Sequence, residues 1–229
     1  MIFKRQYVIA IIIMLLIGIC AGFSSTAHKK GIVACANEYF SALCDSDIER
    51  AKTQATGQAL WTLANIQELP KATIEKANIK VVSSNKQWAK AKVITEVRLS
   101  DGTLDVNWND IELTNTDQGW KIYIVKPYVP EFNSGIILNN ETDNLKSVFE
   151  EYLNTTSSKY LVGQLRVAQE QNQVKLNPVE YKDLEISFVA GNKDYRLVKA
   201  SYRTERNVQL YVTFYNSIDG WKIANIQQI

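Results

Sequence analysis

With 229 residues, 46% of them apolar and 22% charged, the chain has enough apolar material for one or two globular domains and too much to remain disordered. Its net charge of +2 resides in Lys4 and Arg5, ahead of an apolar N-terminus; without that pair, basic and acidic side chains balance. A neutral body with no basic run after Lys29-Lys30 lacks the clustered charge that phosphate-tracking proteins need, so no direct contact with nucleic acid is expected.

Tyr7 to Phe23 is an uninterrupted run of apolar and small residues, at the short end of what spans a bilayer. It reads either as a signal anchor, favoured by its Ile-rich length, or as a secretory signal peptide cut after Ala27, where Ser25-Thr26-Ala27 supplies small residues. Ile19 stands where a small residue should precede a lipidated Cys20, which argues against a lipoprotein. Lys4 and Arg5 are nearly balanced by Lys29 and Lys30 in the positive-inside count; the short head favours an internal N-terminus with the bulk outside.

His28 to about Leu43 places Ile32, Ala36, Tyr39, Phe40 and Leu43 at helical spacing. Cys35 and Cys44 lie nine residues apart, roughly 13 Å along a helix and beyond disulfide reach, so they read as small buried side chains. Ser46-x-x-Glu49 reads as a capping box opening a second helix that carries Ile48, Ala51, Ala55, Ala59, Leu63 and Ile66 and stops at Pro70. Four strands follow: Thr73 to Val82, Trp88 to Leu99, Leu104 to Thr114, and Trp120 to Lys126. In the second, Ala89, Ala91, Val93, Thr95, Val97 and Leu99 alternate with Lys90, Lys92, Glu96 and Arg98, the pattern of a half-buried antiparallel strand. Ser100-Asp101-Gly102-Thr103 is its hairpin turn.

Residues 131 to 140 read as the domain junction. A third helix after Thr142 carries Leu145, Val148, Phe149 and Tyr152; the loop Asn154 to Ser158 leads to a fourth with Leu161, Leu165 and Ala168. Four strands follow again: Glu180 to Val189, Tyr195 to Thr204, Val208 to Asn216, and Trp221 to Gln228.

This order is a repeat. Glu38-Tyr39-Phe40 is echoed by Glu151-Tyr152-Leu153, Asn85-Lys86-Gln87-Trp88 by Asn192-Lys193-Asp194-Tyr195, and Gly119-Trp120-Lys121-Ile122 by Gly220-Trp221-Lys222-Ile223. The offset falls from 113 to 107 to 101, as if the second copy were six residues shorter in each of two connections. The expected organisation is a transmembrane signal anchor over 1-27 and two α+β domains, 28-130 and 131-229, each with helices on one face of an antiparallel meander. The last ten residues read as a closing strand, so removing them is expected to unfold the second domain.

Chemistry is sparse. The only histidine, His28, lies beside the apolar run, so His-based acid-base catalysis, a Ser-His-Asp triad and most transition-metal sites are not expected. No phosphate-cradling loop or HExxH-like pattern is present. Asp110 and Glu112 share a strand face with Trp108, so a buried carboxylate there is an option for a base, against the plainer reading of a solvated face. Trp88, Trp108, Trp120, Trp221, Tyr195, Tyr202 and Tyr211 read as core and sheet-edge packing ahead of pocket lining. Aspartates at Asp-Gly turns read as turn-formers. The sequons at Asn140 and Asn154 matter only in a eukaryotic secretory host. No catalytic, cofactor-binding or metal-binding residue is assigned, and no cofactor.

Helices followed by a meander ending in Gly-Trp-Lys-Ile resemble the NTF2-like (cystatin-like, cone-shaped α+β) superfamily. Two such units behind one membrane helix resemble the TcpC family of conjugal transfer proteins. The similarity rests mainly on Phe149-Glu150-Glu151-Tyr152-Leu153, on Val174-Lys175-Leu176-Asn177-Pro178 leading into Tyr181 to Val189, and on Asp219-Gly220-Trp221-Lys222-Ile223; residues 30 to 128 fit more loosely. The resemblance implies a single-pass, non-catalytic scaffold subunit of a type IV secretion-like conjugation apparatus, with extracytoplasmic domains that bind other apparatus proteins or further copies. The alternative is a secreted or tethered NTF2-like small-ligand-binding protein or enzyme.

Overall fold

The structure, a computed structural model, describes residues 28–128, 142–171, 178 and 180–229. The N-terminal apolar run, the junction at 131–140 and the Val174 to Asn177 stretch lie outside the described residues. Among those described, no helix is long and apolar enough to cross a membrane.

Helix α1 covers 28–44 and buries Ile32, Cys35, Ala36, Tyr39 and Phe40, the stripe its spacing requires. The expected second helix is two: α2 (Ile48–Thr53) and α3 (Gly57–Ala64). Its apolar stripe survives, with Ala51, Ala55, Ala59 and Leu63 buried. The helix breaks because residues 54–56 bond sideways to a strand: Ile122 N–H donates to Gln54 O and Thr56 N–H to Ile122 O, both at 2.8 Å. The capping residue is also corrected. Asp47, not Ser46, caps α2, its carboxylate accepting from Arg50 N–H at 2.9 Å; the Ser46 hydroxyl instead donates to Leu69 O.

Strands β1 (Ala72–Ser84), β2 (Trp88–Leu99), β3 (Leu104–Thr116) and β4 (Gly119–Pro127) form one sheet in chain order. Helix α4 (Thr142–Thr155), a single 3-10 turn (Ser158–Tyr160) and α5 (Gln164–Glu170) precede β5 (Lys182–Gly191), β6 (Tyr195–Arg203), β7 (Asn207–Ser217) and β8 (Gly220–Gln228), a second sheet also in chain order. Leu161, expected within a helix, instead pairs in parallel with Ile223. The plan is α+β, with two four-stranded antiparallel sheets and helices.

The repeat holds at the level of single hydrogen bonds. Asn85 Oδ1 accepts from Gln87 and Trp88 N–H, as Asn192 Oδ1 does from Asp194 and Tyr195 N–H. The Thr116 hydroxyl donates to Gly119 O and the Ser217 hydroxyl to Gly220 O. Ala55 pairs with Ile122 as Leu161 does with Ile223. Lys121 Nζ donates to Thr53 O and Lys222 Nζ to Lys159 O. Each such bond satisfies a backbone group that a turn or helix end leaves open, which is why the same residue classes recur at the same places.

The chain divides into two compact units. One comprises residues up to Leu69, Ile79–Lys92 and Asp110–Lys126; the other comprises Pro70–Asn78, Val93–Asn109 and the chain from Pro127 on. The outer end of the β2–β3 hairpin is therefore part of the same unit as the second sheet. That unit has an apolar core of Leu145, Phe149, Tyr152, Leu161, Val198, Val212, Phe214 and Ile223. A second cluster, Val106, Trp108, Val162, Tyr195 and Tyr215, lies where the hairpin packs.

Candidate functional site

Asp110 and Glu112, an option for a buried base set against the plainer reading of a solvated face, are both half-buried. Buried positions along β3 shift from even numbers at Trp108 to odd numbers at Ile111 and Leu113, which takes the two acids off the buried face. Asp110 lies 4.0 Å from Lys92 Nζ.

The buried acids are Glu96 and Asp105, on the two strands of the β2–β3 hairpin. Glu96 stands on the polar side of its alternating strand, but that side is covered by β7 and the β7–β8 turn. Its Oε1 accepts from Lys76 Nζ at 2.8 Å and from the Tyr215 hydroxyl at 2.9 Å, and its Oε2 accepts from Ile218 N–H at 2.8 Å. Asp105 Oδ1 accepts from Gly163 N–H at 2.9 Å and Val106 N–H at 2.8 Å, and Oδ2 from Arg166 Nη2 at 2.7 Å. Each carboxylate thus meets both requirements for a buried charge, an opposite charge and hydrogen bonds to both oxygens.

Between the two acids sits Trp108. Its indole N–H donates to the Tyr195 hydroxyl at 2.6 Å, and its ring meets Tyr215 edge-on at a centroid distance of 5.4 Å. The ring occupies the space over Gly163, whose φ of +65° only glycine adopts readily. Ala224, small at the matching place on β8, packs against this cluster. Burial pushes the Tyr195 and Tyr215 phenols well above their ordinary range; for Tyr215 the hydrogen bond to the Glu96 carboxylate pushes the same way. Burial works to lower the Arg166 guanidinium, and its bonds and attraction to Asp105 and Glu170 outweigh this, leaving it raised.

At the surface the Arg98 guanidinium donates to both Asp219 oxygens at 3.0 Å and to Glu75, and the Arg98 hydrogen bond holds the Asp219 carboxyl below its usual value. Asp219 is therefore not the turn-former expected of it: its turn is closed by the Ser217 hydroxyl, while its carboxylate clamps the hairpin. Asp101 does behave as expected, accepting from Thr103 N–H at 2.8 Å.

The arrangement is a socket. Tyr195, Tyr215, Gly163, Arg166 and the Ser217–Gly220 turn receive a hairpin that presents Glu96, Arg98, Asp105 and Trp108. It can clamp: Glu96 accepts from the Tyr215 hydroxyl, Asp105 from the Arg166 guanidinium, and the Tyr195 hydroxyl from the Trp108 indole. Of the expected aromatics, Trp108 and Tyr195 are brought together here; Trp120 is buried against His28 with ring centroids 5.8 Å apart, and Trp221 lies under the Arg196 guanidinium. Trp88 and Tyr211 are exposed. Sequence reasoning missed Glu96, Asp105 and Arg166. Glu96 shares the polar register of β2 with Lys90, Lys92 and Arg98, so nothing local set it apart.

Two open grooves lie beside the second sheet. One, about 580 Å³, is lined by Thr142, Asp143 and Lys146 of α4 with Leu184 to Ser187, Lys199, Ser201 and Gln209. The other, about 270 Å³, lies over Asp183, Glu185, Tyr202, Arg203 and Gln209. Among the described residues no group of His, Cys, Asp and Glu is placed to hold a metal. Both described cysteines are free. Burial raises the Cys35 thiol to about 11, against the opposing attraction of Lys121.

No family model matches the chain, and no curated protein matches it. Among solved structures, one described as an "Ntf2 like protein involved in plasmid conjugation" matches at 10% identity with a TM-score of 0.34, covering 84% of this chain and 94% of its own.

Proposed function

We propose that this chain is a non-catalytic assembly subunit of a conjugative transfer apparatus, held at the membrane by its N-terminal apolar run and working through protein contacts of its two α+β modules. The observation that carries the non-catalytic part is the commitment of Glu96 and Asp105. A general base needs a free lone pair aimed at substrate space, and these buried carboxylates have both oxygens engaged by Lys76, Tyr215, Ile218, Gly163 and Arg166. The transfer role comes from the sequence resemblance of the second half. Tethering to a bilayer raises the effective concentration of the modules for neighbours on the same surface, so weak contacts suffice.

The test is a mating assay in a host carrying the transfer element that encodes the chain. Deleting the gene should abolish DNA transfer, and wild-type chain or a variant carrying Glu185→Gln and Lys199→Met in the larger groove should restore it. Unchanged transfer on deletion sinks the reading. Restoration by wild type and not by the groove variant moves the function to ligand binding, the second reading, which the 580 Å³ groove favours by falling within the size range of small-molecule sites.

A further inference from the structure

The repeat supplies an argument about how copies of this chain meet. The socket that receives the β2–β3 hairpin has a counterpart in the first module, located by the shared hydrogen bonds: Gly57 stands for Gly163, Leu60 for Arg166, Trp88 for Tyr195, Asp117 for Ile218 and Tyr123 for Ala224. In the second module the hairpin covers Arg166 and Tyr195, at 6% and 8% exposure, while Ile218 at the rim stays 47% exposed. In the first they are bare: Leu60 and Trp88 are 37% exposed, Tyr123 45% and the neighbouring Trp61 69%. Four large apolar side chains left in water at one duplicated docking face mark a binding surface.

The chain also has one hairpin of the same kind left over. The β6–β7 hairpin ends at Thr204 to Arg206, with Arg203, Glu205, Arg206 and Asn207 exposed; Arg203 and Arg206 occupy the positions of Glu96 and Asp105, and since Arg203 is paired with Asp183 of β5 at 2.7 Å, Arg206 is the guanidinium that the tip presents. The acidic hairpin meets a socket containing Arg166, whereas this basic one matches a face carrying Asp117 and exposed indoles, which attract guanidinium groups.

We propose that the β6–β7 hairpin of one copy docks on the Leu60–Trp61–Trp88–Tyr123 face of the next, so that copies associate head to tail. Such an interface is heterologous and builds a ring or an open array, not a two-fold dimer. The inference deepens the assembly reading by naming a second copy as the partner, and it rests on that reading only for its biological use. Tyr123 fills the space over Gly57 that Trp108 fills over Gly163, so the incoming hairpin lies over an aromatic surface and not into a slot; a basic tip without a tryptophan suits that shape.

The experiment uses the full chain in detergent, with a benzophenone photo-crosslinking amino acid at position 61 and a mixture of light and ¹⁵N-labelled chains. Crosslinks of mixed mass joining position 61 to residues 203–207 are expected, and Trp61→Arg or Arg206→Glu, both at exposed positions, should each weaken association at least tenfold in sedimentation equilibrium. A chain that stays monomeric, crosslinks within one chain, crosslinks from 61 to 61, crosslinks to any other segment, or association unmoved by both substitutions would each overturn the proposal. Loss of transfer function with these crosslinks intact would leave the interface standing; failure of the crosslinks while the mating assay succeeds would remove the interface alone.

Discussion

Replacing Asp105 by alanine tests whether the hairpin is clamped by a buried ion pair. The substitution removes the carboxylate that Arg166 faces at 2.7 Å and strips the acceptor from Gly163 and Val106 N–H. Breaking a buried pair by deleting one partner costs about 3–5 kcal/mol. Arg166 keeps Glu170, which is well exposed at 2.7 Å, so the electrostatic part belongs at the low end, near 3 kcal/mol. Each orphaned N–H adds about 1 kcal/mol where water cannot reach it. Asp105→Ala should therefore cost about 3–5 kcal/mol, a large share of the 5–15 kcal/mol typical of whole domains.

Arg166→Met leaves Asp105 with its two N–H donors and should cost about 2 kcal/mol, since those charge-assisted bonds persist. Once either charge is gone the other is no longer worth burying, so the double variant should cost at least about 1.5 kcal/mol less than the sum of the singles. Urea unfolding followed by tryptophan fluorescence, to which Trp108 contributes, measures all three. Hydrogen exchange at Gly163 and Val106 shows whether the loss is local to the hairpin. Strictly additive single effects, or a cost below about 1 kcal/mol for Asp105→Ala, would refute the clamp.

Three further outcomes are expected. At Gly163 an added Cβ would lie 2.4 Å from the Trp108 ring and 3.1 Å from Val106 O, whereas at Gly220, also at positive φ, it would meet nothing within 4 Å; Gly163→Ala should be the more destabilising by at least about 1 kcal/mol in thermal unfolding, and equal effects would mean that Trp108 does not fill that space. Because burial raises the Cys35 thiol from 9.0 to about 11, the folded state holds its proton where the unfolded state has released it. This contribution is whole below pH 9 and is lost as pH rises from 9 to 11, with a slope of at most about 1.4 kcal/mol per pH unit; Cys35→Ala should flatten alkaline unfolding curves over that window, and an unchanged slope would refute it. Removing residues 220–229 deletes β8, with fully buried Ile223, its pairing to β7 and its bond to Val162 N–H. The second module should then be digested by protease at native pH, and a protease-resistant fragment ending near residue 219 would count against this.

Local patterns carried much of the fold into view. The apolar spacing of α1 and α4, the alternation of β2 and the turn residues Asn85, Gly102, Asn192 and Gly220 are statements about one stretch of chain, and they place helices, strands and turns within a few residues of where they lie. Where the reading failed, a distant backbone intervened. The stripe from Ala51 to Leu63 is continuous in sequence, yet residues 54–56 bond to Ile122 and split the helix. Asp219 sits in ordinary turn grammar, yet its carboxylate binds Arg98, far away in the chain. Glu96 has the alternation of a solvated residue and is 1% exposed, because Tyr215 and Ile218 close over the other side of its strand.

The sequence by itself determined the repeated α+β plan, since hydrophobic period and turn chemistry act over a few residues and were written twice. Which of two equivalent docking faces receives a hairpin was decided only by tertiary structure. That choice depends on the size and charge of side chains brought together from separate strands, Ala224 against Tyr123 and Arg166 against Leu60, and no local pattern records what stands opposite a residue.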